Sequence, residues 1–301
     1  MPSDGVRPIE HKDILSYEEI IRIVRIAAGL GVKKVRFTGG EPLIRKDVPS
    51  LIGAINGIEG IEDISLTTNG LLLERYARPL ADAGLKRVNV SLDSLRPGRY
   101  AEITRGGDIN EVLRGIRAAE ESGLLPIKIN MVPMKDFNDD EIEDFARLTI
   151  NTAYHVRFIE FMPIGARDAW SREKYISTEE IKERVSAIAP LEPVKARRSG
   201  PARYFRFEGI TGAGGVIGFI SPITHHFCNT CNRLRLTCDG KLRPCLFSET
   251  EIDLKSSLRQ GASDAEIEKL LRLSIHIKPE GHSINKEESF DHLKPMSKIG
   301  G

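Results

Sequence analysis

Four cysteines lie between Cys228 and Cys245, and the chain has none elsewhere. The segment reads HHFCNTCNRLRLTCDGKLRPCLF. A disulfide framework would spread its cysteines through the chain, so a tight group reads instead as a metal or redox site. Cys228-x2-Cys231 can grip a metal centre from one turn, and Cys245 returns after about one hairpin. Thiolates suit zinc or iron–sulfur clusters. Two centres fit the spacing. Zinc would take four closed ligands, Cys228, Cys231, Cys238 and Cys245, or would recruit His225 or His226. A [4Fe-4S] cluster would use Cys228, Cys231 and Cys245 and leave one iron open to a substrate. Spacing alone does not separate the two.

Arg233, Arg235, Lys241 and Arg243 crowd among these cysteines. On a strand, Arg233 and Arg235 face the same side. Arginine forks recognise phosphate through paired hydrogen bonds. A solvated basic hairpin would carry the same charges, but arginines beside a metal cluster suit a nucleotide triphosphate.

The first two-thirds of the chain alternates strand and helix signals, which predicts a parallel sheet with helices outside. Strands are expected at residues 32–38, 61–68, 85–93, 126–134 and 155–163, with a further one at 214–221. Helices are expected after Ser16 and over 47–56, 72–83, 110–122, 139–149 and 177–187. Ser16 with Glu19, and Ser177 with Glu180, have the spacing of capping boxes. Gly31 has the place of a residue that ends a helix. The stretch EPVKARRSGPARYFRF, residues 192–207, reads as a basic loop. An open sheet and a barrel share this pattern, but the strand ends favour a barrel. They carry Thr38-Gly39-Gly40-Glu41, Thr67-Thr68-Asn69, Ser91 and Asp93, Lys128 and Asn130, and Glu160 and Met162. Parallel barrels build their sites at this end of the strands.

At 301 residues the chain is long enough for one large domain, or one with a smaller companion. Lys and Arg number 44 against 43 for Asp and Glu, a net charge of +1, which argues against a general polyanion binder but leaves room for a local basic pocket. No apolar run approaches the ~18–20 residues of a membrane span, and residues 1–13 show no apolar signal region. The reading is cytoplasmic.

Several segments together are similar to one family. These are FTGGEPLIR (Phe37–Arg45), LTTNG (Leu66–Gly70), NVSLDS (Asn89–Ser94), RFIEFMPIG (Arg157–Gly165), the cysteine segment and the terminal Gly300-Gly301. The chain resembles the radical SAM GTP 3′,8-cyclases of molybdenum cofactor biosynthesis (the protein A family) along nearly its whole length. GGEP alone indicates a radical SAM barrel; the C-x2-C-x13-C segment with its arginines and the Gly-Gly end point to the cyclase.

The resemblance implies an α/β fold, an incomplete parallel (βα)6 radical-SAM barrel over residues 1–190. A C-terminal extension, 191–301, would carry a second iron–sulfur cluster and the GTP site. It implies a lyase in which a 5′-deoxyadenosyl radical, cut from S-adenosylmethionine (SAM), takes the 3′ hydrogen of GTP, after which C3′ attacks C8 of guanine. It assigns Gly40, Ser91 and Met162 to SAM. It assigns Arg36, Thr67, Lys128, Arg233, Leu234 and Arg235 to GTP, with Arg45 as an added phosphate contact. Cys228, Cys231 and Cys245 become ligands of the C-terminal [4Fe-4S] cluster, whose open iron takes GTP. Cys238 has no ligand role in the family. The resemblance further implies a homodimer whose product passes to cyclic pyranopterin monophosphate synthase, with Gly300-Gly301 reaching the active site.

One departure matters. The family's other [4Fe-4S] cluster sits on a C-x3-C-x2-C loop after the first barrel strand, and no cysteine precedes Cys228 here. Met1-Pro2 matches the Met-Pro that commonly follows the last cysteine of that loop. The sequence is therefore expected to open just past the loop, with the first strand missing, through a misplaced start or a genuine truncation. Retention of the SAM and GTP positions favours the misplaced start. The chain as written is expected not to cleave SAM, and to be poorly soluble through an exposed strand edge. Two other readings are a different radical SAM enzyme with an auxiliary cluster and a non-catalytic zinc protein that binds nucleotide or RNA.

Overall fold

The computed structural model describes residues 9–164, 170–195, 200–210, 212 and 214–281. Its frame is an eight-stranded sheet. β1 (Lys34–Phe37), β2 (Asp63–Thr68), β3 (Arg87–Ser91), β4 (Lys128–Met131) and β5 (His155–Ile159) run parallel in sequence order. β6 (Leu191–Val194) and β7 (Arg203–Phe207) form an antiparallel pair at the far edge. β8 (Val216–Ile220) inserts between β5 and β7, parallel to β5, giving the order β1-β2-β3-β4-β5-β8-β7-β6. Six strands are thus parallel, and the sheet is an incomplete barrel with β1 and β6 at its edges.

Strand register sorts the side chains into two unlike faces. Ile64, Leu66, Val88, Val90, Ile129, Met131, Val156, Phe158, Ile217 and Phe219 share the outer face, and all are buried. They pack against α2 (Val48–Asn56), α3 (Leu73–Asp82), α5 (Ile109–Glu121), α6 (Ile142–Asn151) and α7 (Thr178–Ser186). Burying each such side chain contributes about 1.5–3 kcal/mol. The alternate positions, turned inward, are polar: Arg36, Ser65 and Thr67, Arg87 and Asn89, Lys128 and Asn130, His155 and Arg157. Parallel strands are ordinarily apolar on both faces. Here the inner face is kept for something other than packing.

A second apolar cluster joins the chain's two ends. Leu15 and Ile23 of the α1 region (α1, Tyr17–Gly29) pack with Leu242, Leu254, Leu258, Ile267 and Leu271. The C-terminal residues belong to a small antiparallel sheet, β9 (Arg235–Leu236), β10 (Lys241–Arg243) and β11 (Ile252–Asp253), and to α8 (Leu254–Arg259) and α9 (Asp264–His276). Arg259 pairs with Glu19, Arg22 pairs with Asp264, and the Leu15 N–H donates to the Cys238 carbonyl at 2.8 Å.

Local expectations meet mixed outcomes. The Ser16–Glu19 capping box forms in full, and Gly31 follows the helix at φ +92°, a conformation that favours glycine. At Ser177 only half the box exists, the hydroxyl accepting the Glu180 N–H at 3.1 Å. The basic loop expected at 192–207 is wrong, because β6 and β7 flank its centre. Pro193 concealed the strand, and an edge position tolerates it. The helix expected at 139–149 divides into a 3-10 turn, Asp139–Glu141, and α6. α4 (Pro97–Thr104), α8 and α9 had no counterpart in the sequence reading.

Candidate active site

Three inward cations, Arg36 on β1, Lys128 on β4 and Arg157 on β5, have no carboxylate partner among the described residues. Asp63 is committed to Arg87 through both carboxylate oxygens, one at 2.8 Å, and both side chains are nearly buried. Arg157 is only 5% exposed; its Nε donates to Asn130 Oδ1 at 2.7 Å and a terminal nitrogen donates to Asn89 Oδ1 at 2.8 Å. Asn89 in turn donates to the Leu66 carbonyl at 2.9 Å and to Thr67 Oγ1 at 3.3 Å. Neutral amides thus orient the guanidinium without cancelling its charge.

The electrostatic consequence is large. Desolvation, then the like charges of Arg157, Arg87 and Arg36, push Lys128 down to about 7. Its ammonium also lies 5.9 Å from the Tyr204 ring centre. Desolvation among neighbouring protein atoms, followed by Arg157, Arg233 and Arg87, brings Arg36 down to about 10, although its side chain stands at the solvent-accessible edge strand. Burial and the Lys128 and Arg157 charges hold His155 near 4, so it is neutral at pH 7. An anion placed among these groups would relieve each of them.

The strand ends that converge on this face divide into braces and open positions. Glu41 is a brace. Its carboxylate accepts from the Leu43 N–H at 3.0 Å, the Thr68 hydroxyl at 2.8 Å and the Asn69 N–H at 2.7 Å, tying the GGEP loop to the end of β2. Glu160 is another, buried and accepting from the Ile223 and Thr224 N–H groups at 2.8 and 3.1 Å and from the Tyr175 and Thr178 hydroxyls. It fixes the segment leading to Cys228. Asp93 accepts the Val132 N–H at 2.9 Å. Gly40 and Ser91 are different. Both are exposed, and a Cβ at Gly40 would meet no atom within 4 Å, so a ligand can lie directly on that backbone. Met162 is half-buried.

The cysteine hairpin approaches from the other side. Cys228 begins a 3-10 turn, and the Cys231 N–H donates to the Cys228 carbonyl at 3.0 Å. β9 pairs with β10 through Arg235 opposite Arg243, which brings the strand leading to Cys245 back beside the strand leaving Cys231. Arg235 feels the charges of both Cys245 and Cys231 and, mainly through desolvation and then Arg233, drops to about 10. Burial works to raise the Cys231 thiol, but the Arg233 backbone and side chain and the Lys278 charge together hold it below its ordinary value. Cys238 sits at the opposite end of the hairpin, exposed, with its thiol raised by burial and by Asp239. Among the described residues no three of His, Cys, Asp and Glu close on a point that one ion could occupy. Cys238, at the turn of the hairpin, stands apart from the open end that carries Cys231 and Cys245.

Not every expected contact takes the same form. Arg233 stacks on Phe227, 5.0 Å from the ring centre, and its charge reaches Arg36, so the hairpin's cations join those of the sheet. Leu234 packs into the second apolar cluster and can offer a ligand only its backbone. Lys241 and Arg243 are paired with Asp253 and Glu251. Arg45 donates to the Leu15 carbonyl and covers the Tyr17 ring at 4.4 Å, a tie to the α1 region. Gly300-Gly301 lies outside the described residues. Sequence reading missed Arg157 and Tyr204 as site groups. The inward parity that Arg157 shares with Lys128 and Asn130 was the available signal.

Comparison with known proteins adds an independent line. Residues 2–149 match the Radical SAM superfamily, and residues 154–284 match Molybdenum Cofactor Synthesis C. The chain is 53% identical to a GTP 3′,8-cyclase of Thermodesulfovibrio yellowstonii, over 100% of this chain and 92% of that protein. It is 50% identical to a GTP 3′,8-cyclase of Alkaliphilus metalliredigens, with the same coverage. Among solved structures, Streptococcus suis SuiB bound to S-adenosylmethionine has a similar fold, with TM-score 0.54 and 17% identity over 95% of this chain and 70% of that one.

Proposed function

The chain belongs to the GTP 3′,8-cyclase family, and we propose that it binds GTP between the inward cations of its sheet and a [4Fe-4S] cluster on Cys228, Cys231 and Cys245, for SAM-dependent radical cyclisation in molybdenum cofactor biosynthesis. The observation that carries this reading is the inward group of Arg36, Lys128 and Arg157, none of them ion-paired among the described residues and continued toward the cysteines by Arg233 and Arg235. A triphosphate supplies the missing charge, and arginine forks match its oxygens.

Each residue then has a task. Arg157, held by Asn89 and Asn130, presents a preset fork, and Lys128 gains its full proton as phosphate arrives. Arg36 and Thr67 line the edge nearest β1 and β2, while Arg233, the Leu234 backbone and Arg235 hold the nucleoside end near the thiols. Cys228, Cys231 and Cys245 would hold the cluster, which would supply an iron able to take a donor atom of the substrate. Gly40, Ser91 and Met162 would hold SAM at the carboxyl ends of the strands, where parallel barrels place reacting groups.

The family's radical-generating cluster needs a second set of cysteines, and the four in this sequence all lie in the hairpin. We therefore expect the 301-residue chain by itself to bind GTP yet release no 5′-deoxyadenosine from SAM with dithionite; product formation would refute that expectation. The wider reading is a cytoplasmic homodimer handing its product to cyclic pyranopterin monophosphate synthase. Among the described residues no helix is long and apolar enough to cross a membrane. Anaerobic calorimetry tests the substrate assignment. GTP should bind at least about tenfold more tightly than guanosine, from charge-assisted phosphate contacts of about 1.5–3 kcal/mol each. Equal affinities would sink it.

A further inference from the structure

We infer that Lys278 is a positioning residue for the C-terminal cluster, a clamp that sets the gap between the arms carrying Cys231 and Cys245. The inference deepens the proposed function and rests on its assignment of those cysteines.

The hairpin ladder is short. β9 and β10 pair only at Leu236–Leu242 and Arg235–Arg243. Beyond that point the arms run on without ladder bonds, toward Cys231 on one side and Cys245 on the other. Pro244 follows at once on the β10 arm, and without an N–H it cannot extend the ladder as a donor. The cysteines therefore sit on the unpaired ends of two strands, where nothing in the ladder fixes their separation.

Lys278 spans that opening. Its Nζ donates to the Arg233 carbonyl at 2.9 Å and to the Pro244 carbonyl at 2.6 Å. The first carbonyl lies two residues past Cys231, and the second belongs to the residue just before Cys245. One ammonium thus bridges both arms. An ammonium has three donors and no acceptor, so it serves two carbonyls at once without a competing interaction of its own.

The clamp is itself anchored. Lys278 lies two residues beyond α9, whose Ile267 and Leu271 are buried in the second apolar cluster and whose start is fixed by a full Ser263–Glu266 capping box. A cluster on three thiolates carries negative charge, and a cation fixed at its rim offsets part of it. Groups that orient metal ligands in this way typically change metal affinity by about 10–100-fold when removed.

The test uses the 301-residue chain, in which all four cysteines lie in the hairpin, so bound iron and sulfide report on this site alone. Wild type, Lys278→Met and Lys278→Arg are reconstituted anaerobically, then challenged with an iron chelator while the visible cluster absorbance is followed. Lys278→Met should lose its cluster about tenfold faster or more and show an altered electron paramagnetic resonance line shape after reduction. Lys278→Arg should restore both in large part. Thermal melts of the three metal-free chains provide the folding check. If Lys278→Met melts far below wild type, Lys278→Gln, which keeps a donor, takes its place and should lose iron at an intermediate rate. Cluster retention and line shape identical to wild type in the methionine or glutamine variant would overturn the clamp. Failure of the wild type to hold iron and sulfide would instead refute the cluster assignment beneath it.

Discussion

The inward face of the sheet and the cysteine hairpin are both rich in basic side chains, yet they treat them in opposite ways. In the hairpin, Lys241 meets Asp253 and Arg243 meets Glu251, and nearby Arg259 meets Glu19. On the sheet's inward face Arg87 is paired with Asp63, while Arg36, Lys128 and Arg157 are held by amides, a hydroxyl and an aromatic ring. Paired cations build the scaffold. Unpaired ones store electrostatic free energy that an incoming anion releases. Arg233 and Arg235 belong to the second kind although they sit on the hairpin, which marks where the two regions act together.

The largest effect should come from breaking a buried pair. Asp63→Asn leaves Arg87 charged and nearly enclosed, and should cost about 3–5 kcal/mol in a denaturant titration. Arg243→Met is the matching change in the hairpin and should cost less, because Glu251 is 16% exposed and can turn to water. Equal losses would erase the distinction between the regions.

Lys128→Met should separate stability from binding. GTP affinity should fall about 10–100-fold through a lost charge-assisted contact, while the ligand-free protein becomes no less stable. Lys128 sits at about 7 when folded against an ordinary value of 10.5. Between those values the unfolded chain holds more protons, so this group's contribution to stability rises as pH climbs from about 7 toward 10.5. Lys128→Met should flatten that rise in chemical denaturation curves. Bound triphosphate raises the Lys128 value, so GTP binding near pH 8 should take up protons, visible as a buffer-dependent calorimetric heat that vanishes in the variant. A heat independent of buffer in the wild type would contradict the assignment of Lys128 to phosphate.

The smallest effect is expected at a helix cap. Ser263→Ala removes the α9 cap and should lower stability by about 1 kcal/mol, with GTP affinity unchanged.

How much was legible beforehand follows the same division. The sheet's alternation is a property of each strand, so Thr67 and Lys128 could be placed at strand ends from sequence, whereas Arg36 came only from the family resemblance. Arg157 was passed over because it was read as part of a family segment, not as the inward neighbour of Asn130. Glu160 and Glu41 looked like site groups in one dimension. Their hydrogen bonds to residues far along the chain make them braces. The β6–β7 pair hid behind Pro193 and a run of arginines, since edge strands obey composition rules weakly. Cys238 could not be told from the other cysteines by spacing; the hairpin, by turning between Thr237 and Lys241, sends it to the far end.

The most direct measurement is electron paramagnetic resonance of the anaerobically reconstituted and reduced 301-residue chain, with iron and sulfide determined on the same sample. The account predicts about four irons and four sulfides per chain, and a spectrum that shifts with GTP but not with inorganic triphosphate, since the nucleoside end reaches the open iron. Zinc in place of iron, or a cluster whose spectrum ignores GTP, would contradict it.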